Sequence, residues 1–147
     1  MKTNLSKSTV AMIATLLICC FVCTGCLGTE LTLLHDRDQI ESIYLVDYNM
    51  LDTANLSVLP EGSVQIENVD AFLTDLHALP FVRFMLGEPT FKDTLGVYIL
   101  YVNGDVEVID YMTQFYLSEG TVTYRRMQCN FTDFDHLVQS YYQSSGK

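Results

Sequence analysis

Two runs of alternating apolar and polar residues around Asn103-Gly104 constrain the fold of this chain more than any other local feature. Residues 96–102 precede the Asn-Gly pair and residues 105–111 follow it. Asn-Gly is typical of a two-residue type I′ turn, because both central positions of that turn need a positive φ angle. The pattern therefore predicts an antiparallel β-hairpin.

The predicted turn also decides which residues face each other across the hairpin. A two-residue loop places Val102 opposite Asp105. The predicted core face then comprises Val97, Ile99, Tyr101, Val106 and Val108. Tyr98 and Ile109 would share the other face, which is either covered by the long loop at 49–62 or free to bind a partner. Tyr98 and Ile109 therefore mark the candidate binding face.

Two further stretches carry apolar residues at helical spacing. Residues 68–79 begin with Asn68, a favourable N-cap, and run up to Pro80. Near the end of the chain, Thr132 and Asp135 match a capping box, followed by an apolar stripe at helical spacing. We expect residues 144–147 to form a frayed tail.

Alternating residues predict strands before the first helix and between the two helices. Residues 41–48 and 63–67 alternate, and residues 111–117 and 121–129 suggest a second hairpin. Residues 81–86 fit either a strand or an extended connection. The resulting order, ββαββββα, predicts an α+β fold, a two-layer sandwich of two helices on a mainly antiparallel sheet of about five or six strands.

The first 26 residues have the layout of an export signal. Lys2 and Lys7 precede an apolar run at 10–22, and no acidic residue precedes that run. As a helix the run would span about 20 Å, short of the ~30 Å hydrocarbon core of a bilayer. A cleaved signal is therefore favoured over an uncleaved anchor, which would need the run to continue to Leu27.

Cys23-Thr24-Gly25-Cys26 resembles the bacterial lipobox, in which small residues precede an acceptor cysteine. Thr24 and Gly25 match that pattern, whereas Cys23 replaces the usual leucine. The resemblance implies that Cys26 carries diacylglycerol, and with it fatty acyl chains such as palmitate. Each buried CH₂ contributes roughly 0.8 kcal/mol, so two chains hold a protein on a bilayer. We expect a lipid anchor on the extracytoplasmic side of the cell membrane, with ordinary secretion as an alternative.

The chain then divides into an export signal at 1–25, a lipidated N-terminus and tether at 26–39, and a single domain at 40–143. In this domain, Tyr101-Val102-Asn103-Gly104-Asp105 and the flanking elements are loosely similar to small uncharacterised lipoproteins of Gram-positive bacteria. That similarity implies no activity and no site.

The charge balance narrows the choice of partner. The chain of 147 residues has 18 acidic and 8 basic residues, and its formal net charge is −10. A nucleic-acid partner is excluded, because phosphate binding needs concentrated Lys and Arg. The lipid bilayer would be contacted through acylated Cys26 rather than through a polybasic patch. The acidity serves solubility, or it attracts a cationic partner or Ca²⁺.

Cysteine and histidine positions match no known metal or nucleophile pattern. Once the signal is removed, Cys26 and Cys129 remain, and a lone Cys129 is expected to be a buried apolar side chain. Around His35, residues 35–41 lack the spacing of a calcium loop. His77 and His136 lack zinc-site spacing. We predict no metal and no cofactor.

Carboxylate pairs are the remaining candidates for catalysis. Glu107 with Asp110, or Asp133 with Asp135, could form an acid/base pair. Asp133 and Asp135 already lie at a predicted helix start, where acids are favourable. No residue is assigned a catalytic role.

Tyrosines are concentrated in the second half of the chain, at 98, 101, 111, 116, 124, 141 and 142. Tyrosine is enriched at interfaces because it joins apolar area to a polar tip. The sequence therefore predicts a membrane-anchored, non-enzymatic domain that binds a protein or an envelope component. The alternatives are a small envelope enzyme that uses acidic residues and an accessory solute-binding component.

Overall fold

The computed structural model describes residues 30–83 and 95–145 of the chain. These residues form a seven-stranded antiparallel sheet and two α-helices, which confirms the predicted α+β class. The strands are β1 (Ile40–Asp47), β2 (Val64–Gln65), β3 (Val82–Arg83), β4 (Leu95–Tyr101), β5 (Val106–Ile109), β6 (Thr113–Ser118) and β7 (Thr121–Gln128). The helices are α1 (Val69–Ala78) and α2 (Phe131–Ser145). The predicted signal at 1–25, Cys26, and residues 146–147 of the predicted tail lie outside the described residues.

The sheet has the strand order β2-β1-β4-β5-β6-β7-β3. One strand more is present than the five or six predicted, and the extra strand is β3. It lies in the segment 81–86 that the pattern left open between a strand and a connection. Both edge strands contain two residues, which keeps the edges of the sheet short.

Helix α1 forms as its pattern predicts. The Asn68 side chain caps it by accepting a hydrogen bond from the Ala71 amide at 3.1 Å. Phe72, Leu73 and Leu76 are buried on one face. Because both the cap and the apolar stripe are local features of the chain, the sequence pattern was enough to place this helix.

Helix α2 starts and ends differently from the prediction. The Asn130 side chain caps it and accepts a hydrogen bond from the Thr132 amide at 2.8 Å, so the predicted capping box at Thr132 is wrong. The helix continues through Ser145, which also makes the predicted frayed tail wrong at its first two residues. Phe134 and Val138 are its buried residues.

The sheet has two covered faces, and each has its own apolar cluster. We call the face under the two helices the inner face. Its cluster joins strand residues such as Ile43, Val97 and Ile109 to Phe72 and Phe134 of the helices. The opposite, outer face is covered by the segment 48–62, with Leu51 and Leu56 packed on Val46, Tyr98, Val106 and Val108.

The hairpin at Asn103-Gly104 forms with a different turn from the predicted one. The Tyr101 amide bonds the Asp105 carbonyl at 3.0 Å and the Gly104 amide bonds the Tyr101 carbonyl at 2.9 Å. Gly104 has a φ of +86°, whereas Asn103 does not have a positive φ. The loop therefore has three residues and is a type I turn closed by a left-handed glycine. Ile99 pairs with Glu107 and Leu100 with Val106, so the predicted register is wrong by one residue.

A one-residue slip moves every side chain of a strand to the other face. Val97, Ile99 and Tyr101 occupy the inner face as predicted, but Val106 and Val108 belong to the outer cluster. Their places on the inner face are taken by Glu107, which is fully buried, and by Ile109. The register therefore brings an acidic residue into the interior.

The type I′ geometry occurs instead in the second predicted hairpin, which is confirmed. Ser118 pairs with Thr121, and the two residues between them both have positive φ, +52° at Glu119 and +73° at Gly120. Glu119 is the non-glycine residue with a positive φ in the described part of the chain. On β7, Val122 and Tyr124 share the outer face.

Candidate functional site

Residues 30–35 lie across the inner face of the sheet, beside the area that the two helices cover. Leu31 is buried in the inner cluster, and Leu33 and Leu34 pack against it. Of the predicted tether at 26–39, the described residues therefore start to pack at Leu31. We call residues 30–35 the N-terminal segment.

A buried polar network joins the N-terminal segment to three strands. Glu107 on β5 is fully buried, and its carboxylate accepts hydrogen bonds from the Leu34 amide at 2.8 Å and from the Tyr101 hydroxyl. The Gln114 side chain on β6 donates to the other Glu107 oxygen and to the Thr32 carbonyl at 3.0 Å. Every contact of the carboxylate is thus with a hydrogen-bond donor, as a buried acid requires.

Arg125 on β7 completes the network. Its guanidinium donates to the Gln114 side-chain oxygen and to the Thr32 carbonyl, and it lies 5.4 Å from the centre of the Tyr116 ring. Burial raises the pKa of Glu107 above its ordinary value. The hydrogen bonds from Tyr101, Leu34 and Gln114 and the charge of Arg125 oppose that rise. The network holds the N-terminal segment on the sheet and seals Glu107 beneath it.

A second polar cluster lies at the tip of the β4–β5 hairpin and contains a serine, a histidine and an aspartate. Asp105 accepts from the Ser118 hydroxyl at 2.9 Å and contacts the His35 Nε2 atom at 2.6 Å. Burial raises the pKa of Asp105, but the bonds from His35, Ser118 and Asn103 outweigh it and hold that pKa below its ordinary value.

The arrangement of this cluster differs from that of a catalytic triad. In a triad the histidine lies between the nucleophile and the acid and takes the serine proton. Here Asp105 lies in the middle, and Ser118 donates to the carboxylate rather than to His35. The His35 ring also packs edge-on against Tyr101, with 4.8 Å between the ring centres. The cluster therefore fixes His35, and with it the end of the N-terminal segment, to the hairpin.

Cationic side chains are concentrated at one edge of the described structure. The four of them in residues 30–83 and 95–145 are Arg37, Arg83, Arg125 and Arg126. Arg83 on β3 pairs with Met127 on β7, next to Arg125 and Arg126. Arg83 and Arg125 line one shallow pocket together with Glu30 and Thr32. We call Arg83, Arg125 and Arg126 the basic edge. Arg83 and Arg125 lie on its inner side, where the N-terminal segment reaches the sheet, and Arg126 lies on its outer side, because neighbouring residues of a strand point to opposite faces.

The two residues of the candidate binding face do not share a face. Tyr98 is on the outer face, 2% exposed, and its hydroxyl donates to the Leu56 carbonyl at 2.8 Å. Ile109 is on the inner face and fully buried. The prediction of a shared Tyr98/Ile109 surface is therefore wrong. Tyr98 is covered by the loop at 49–62, which was the alternative that the sequence left open.

The outer face is exposed farther along the sheet. Phe115, Leu117 and Val122 are partly buried against the outer cluster, and Tyr124 is 60% exposed. The Phe115 and Tyr124 rings lie 5.8 Å apart. We call these four residues the outer patch. The concentration of tyrosines in this half of the chain was a sequence signal for it, but only the register showed that Tyr124 is the exposed tyrosine of this face.

The two carboxylate pairs from the sequence do not form an acid/base site. Glu107 lies on the inner face, whereas Asp110 lies beside Tyr48 of the outer cluster. Burial raises the pKa of Asp110 to about 6, opposed by the Met112 and Thr113 amides that donate to it at 2.5 Å. Asp133 lies exposed in the first turn of α2, next to the cap.

Cys129, His77 and His136 are the remaining candidates from the sequence. Burial raises the pKa of the Cys129 thiol to about 12, which suppresses the thiolate that nucleophilic chemistry needs. His77 and His136 are exposed on the two helices. Within the described ranges, no three His, Cys, Asp or Glu side chains are grouped so that they could hold a metal ion. No helix in the same ranges has the length and apolar character needed to cross a membrane.

Sequence reasoning missed the Glu107 network because it placed Glu107 on the wrong face. The signal that could have found it was the alternative turn, since Asn-Gly also suits a three-residue loop. In comparisons with known proteins, no family model, no curated protein and no solved structure matches this chain.

Proposed function

We propose that this protein is a lipid-anchored domain on the extracytoplasmic side of the membrane, and that it binds a protein partner through its outer patch. The lipobox-like Cys23-Thr24-Gly25-Cys26 supports the anchor. The observation that carries the proposal is the burial of Leu31, five residues after Cys26. At about 3.5 Å per residue, an extended chain from Cys26 reaches Leu31 within roughly 18 Å. An acylated Cys26 would therefore hold the folded domain close to the lipid surface.

The outer patch supports the second half of the proposal. Tyr124 is the most exposed of the described tyrosines, and it adjoins Phe115 and Val122 on the same face. Aromatic side chains with a polar tip dominate the energetics of protein interfaces. Among the described residues, the Glu107 carboxylate offers no substrate-accessible surface, because it is fully buried under the N-terminal segment. The geometry thus favours recognition over acid catalysis.

The anchor is tested by Cys26→Ala, with Cys23→Ala as the matched control. We expect Cys26→Ala to abolish incorporation of a labelled fatty acid into the protein, while Cys23→Ala leaves it unchanged. Labelling of the Cys26→Ala protein at the level of the wild type would contradict the anchor.

The patch is tested by Tyr124→Ser, with Tyr142→Ser as the control, because Tyr142 is an exposed tyrosine on α2, away from the outer patch. The protein is crosslinked in its native cells, and the crosslinked partner is identified and quantified. We expect Tyr124→Ser to reduce the crosslinked fraction at least tenfold, which corresponds to a residue central to an interface. Equal crosslinking of both variants would overturn the assignment of the patch.

A further inference from the structure

The basic edge consists of positively charged residues, whereas the chain as a whole is negatively charged. The formal net charge is −10, yet Arg83 and Arg125 lie together on the inner side of the edge formed by β3 and β7, with Arg126 on its outer side. Arg83 is exposed, and no carboxylate among the described residues lies within 4.0 Å of its guanidinium. The fourth cation, Arg37, is by contrast paired with Asp70 at 2.7 Å. An unpaired cation at an exposed edge is available to an anionic partner.

The position of the edge indicates which anion it meets. Glu30, where the described chain begins, lines the same pocket as Arg83 and Arg125. Glu30 lies four positions after Cys26, so an extended chain places them within roughly 14 Å of each other. Charge interactions in water extend over a Debye length of about 8 Å at physiological ionic strength. Because roughly 14 Å is the upper limit, a domain held at Cys26 can bring this edge to within a Debye length of the lipid headgroups.

Val82 adds an apolar contact to the charge. It precedes Arg83 on β3, is 38% exposed and lies on the outer side of the edge, the side of Arg126. An exposed aliphatic side chain beside arginines suits the boundary between headgroups and acyl chains, where both kinds of group are satisfied.

We propose that the basic edge docks on the anionic headgroups of the bilayer and so orients the anchored domain. The inference rests on the anchor at Cys26. It assigns the acid-rich remainder of the surface to the side away from the membrane, because anionic lipids repel it. Docking of this edge places β3 and the end of β7 that carries Arg125 and Arg126 against the lipid, and it commits the domain to one orientation relative to the bilayer.

The test supplies the anchor chemically, so that it does not depend on acylation in cells. We use the chain from Cys26 onward, which keeps every residue of the inner and outer clusters. Its two cysteines are Cys26 and Cys129, and Cys129 is buried, so a maleimide lipid couples at Cys26. The chain contains no tryptophan, and Val82→Trp therefore introduces a single indole as the reporter of the edge.

The coupled protein is compared on vesicles of phosphatidylcholine and on vesicles that also contain phosphatidylglycerol. We expect the Val82→Trp emission to move to shorter wavelength only with phosphatidylglycerol, and to return in high salt. In the same background, Arg83→Gln should reduce the ratio of docked to undocked protein about fivefold, the factor for a contribution of about 1 kcal/mol per arginine. Arg37→Gln removes the same charge elsewhere and should change the ratio less than twofold. Circular dichroism checks that each variant is folded.

Two results would overturn the inference: equal emission on both kinds of vesicle, or an equal effect of Arg37→Gln and Arg83→Gln. A failure of the protein to be acylated in cells would instead overturn the proposed function, and it would leave the vesicle result unaffected.

Discussion

The two faces of the sheet are covered in different ways. Two amphipathic helices and the N-terminal segment cover the inner face, and a polar network at Glu107 ties that segment to β5, β6 and β7. The outer face is covered by the irregular segment 48–62, whose Leu56 carbonyl accepts a hydrogen bond from Tyr98. One sheet thus has a face packed by regular helices and a face packed by a segment whose regular structure is one short 3₁₀ helix at Tyr48–Met50. We expect mutations on the inner face to lower the free energy of unfolding more than mutations on the outer face.

Leu76→Ala and Leu56→Ala test this difference with the largest expected effect on stability. Both leucines are fully buried, Leu76 under helix α1 and Leu56 under the loop. Leucine-to-alanine changes cost about 2–5 kcal/mol, and the cost depends on how far the surroundings collapse into the cavity. We expect about 4 kcal/mol for Leu76→Ala and about 2 kcal/mol for Leu56→Ala in urea unfolding. Equal losses would show that the loop is packed as rigidly as the helices.

Removing the carboxylate of Glu107 tests whether the network supports the inner face. Glu107→Ala leaves the Leu34 amide, the Tyr101 hydroxyl and the Gln114 amide buried without their acceptor. We expect a loss of about 3 kcal/mol in the free energy of unfolding. Faster proteolysis within residues 30–39 should accompany it, because the N-terminal segment loses its direct hydrogen bond from the Leu34 amide to Glu107. A loss below about 1 kcal/mol would mean that the network adds little to the packing of this face.

The helices and the fold class could be predicted from the sequence because their signals are local. Asn68 caps α1 through a residue three positions away, and the apolar stripe of α1 repeats every turn. The alternation in residues 41–48 likewise assigned Ile43 and Val46 to opposite faces, as observed. In each case, the information lies within one element.

The candidate site could not be predicted because its residues come together through the register and through distant contacts. Asn103-Gly104 is compatible with two turns that differ by one residue, and the choice places either Glu107 or Val108 on the inner face. In the structure, the Asn103 side chain bonds Asp105, which in turn contacts His35 about 70 positions earlier in the chain. Conversely, the type I′ turn lies at Glu119-Gly120, although glutamate disfavours a positive φ.

A buried carboxyl group near the outer cluster provides a test by pH. The pKa of Asp110 is raised to about 6 by burial. The folded state therefore binds this proton more tightly than the unfolded state. Its contribution to stability is present in full below pH 4 and is lost as the pH rises through about 6. Two pKa units correspond to about 3 kcal/mol. Asp110→Asn keeps an oxygen for the Met112 and Thr113 amides, so it should remove this pH dependence.

The measurement is the free energy of unfolding of the wild type minus that of Asp110→Asn, between pH 4 and 7.5. We expect this difference to fall with rising pH and to level off above about pH 6.5. A difference that rises with pH would mean that Asp110 is stabilised as a carboxylate, with its pKa lowered rather than raised.

Two tyrosines on β4 allow the two faces to be compared with the same chemical change. The Tyr98 hydroxyl donates to a neutral carbonyl on the outer face, and the Tyr101 hydroxyl donates to the Glu107 carboxylate on the inner face. Hydrogen bonds to neutral groups contribute about 1 kcal/mol, and those to charged groups about 1.5–3 kcal/mol. We expect Tyr98→Phe to cost about 1 kcal/mol and Tyr101→Phe about 2 kcal/mol in urea unfolding. Tyr101→Phe should also raise the pKa of Glu107, because that bond stabilises the carboxylate. If the two variants lose the same stability at pH 7 and at pH 4, Glu107 is protonated throughout, and the Tyr101 hydrogen bond is a neutral one like that of Tyr98.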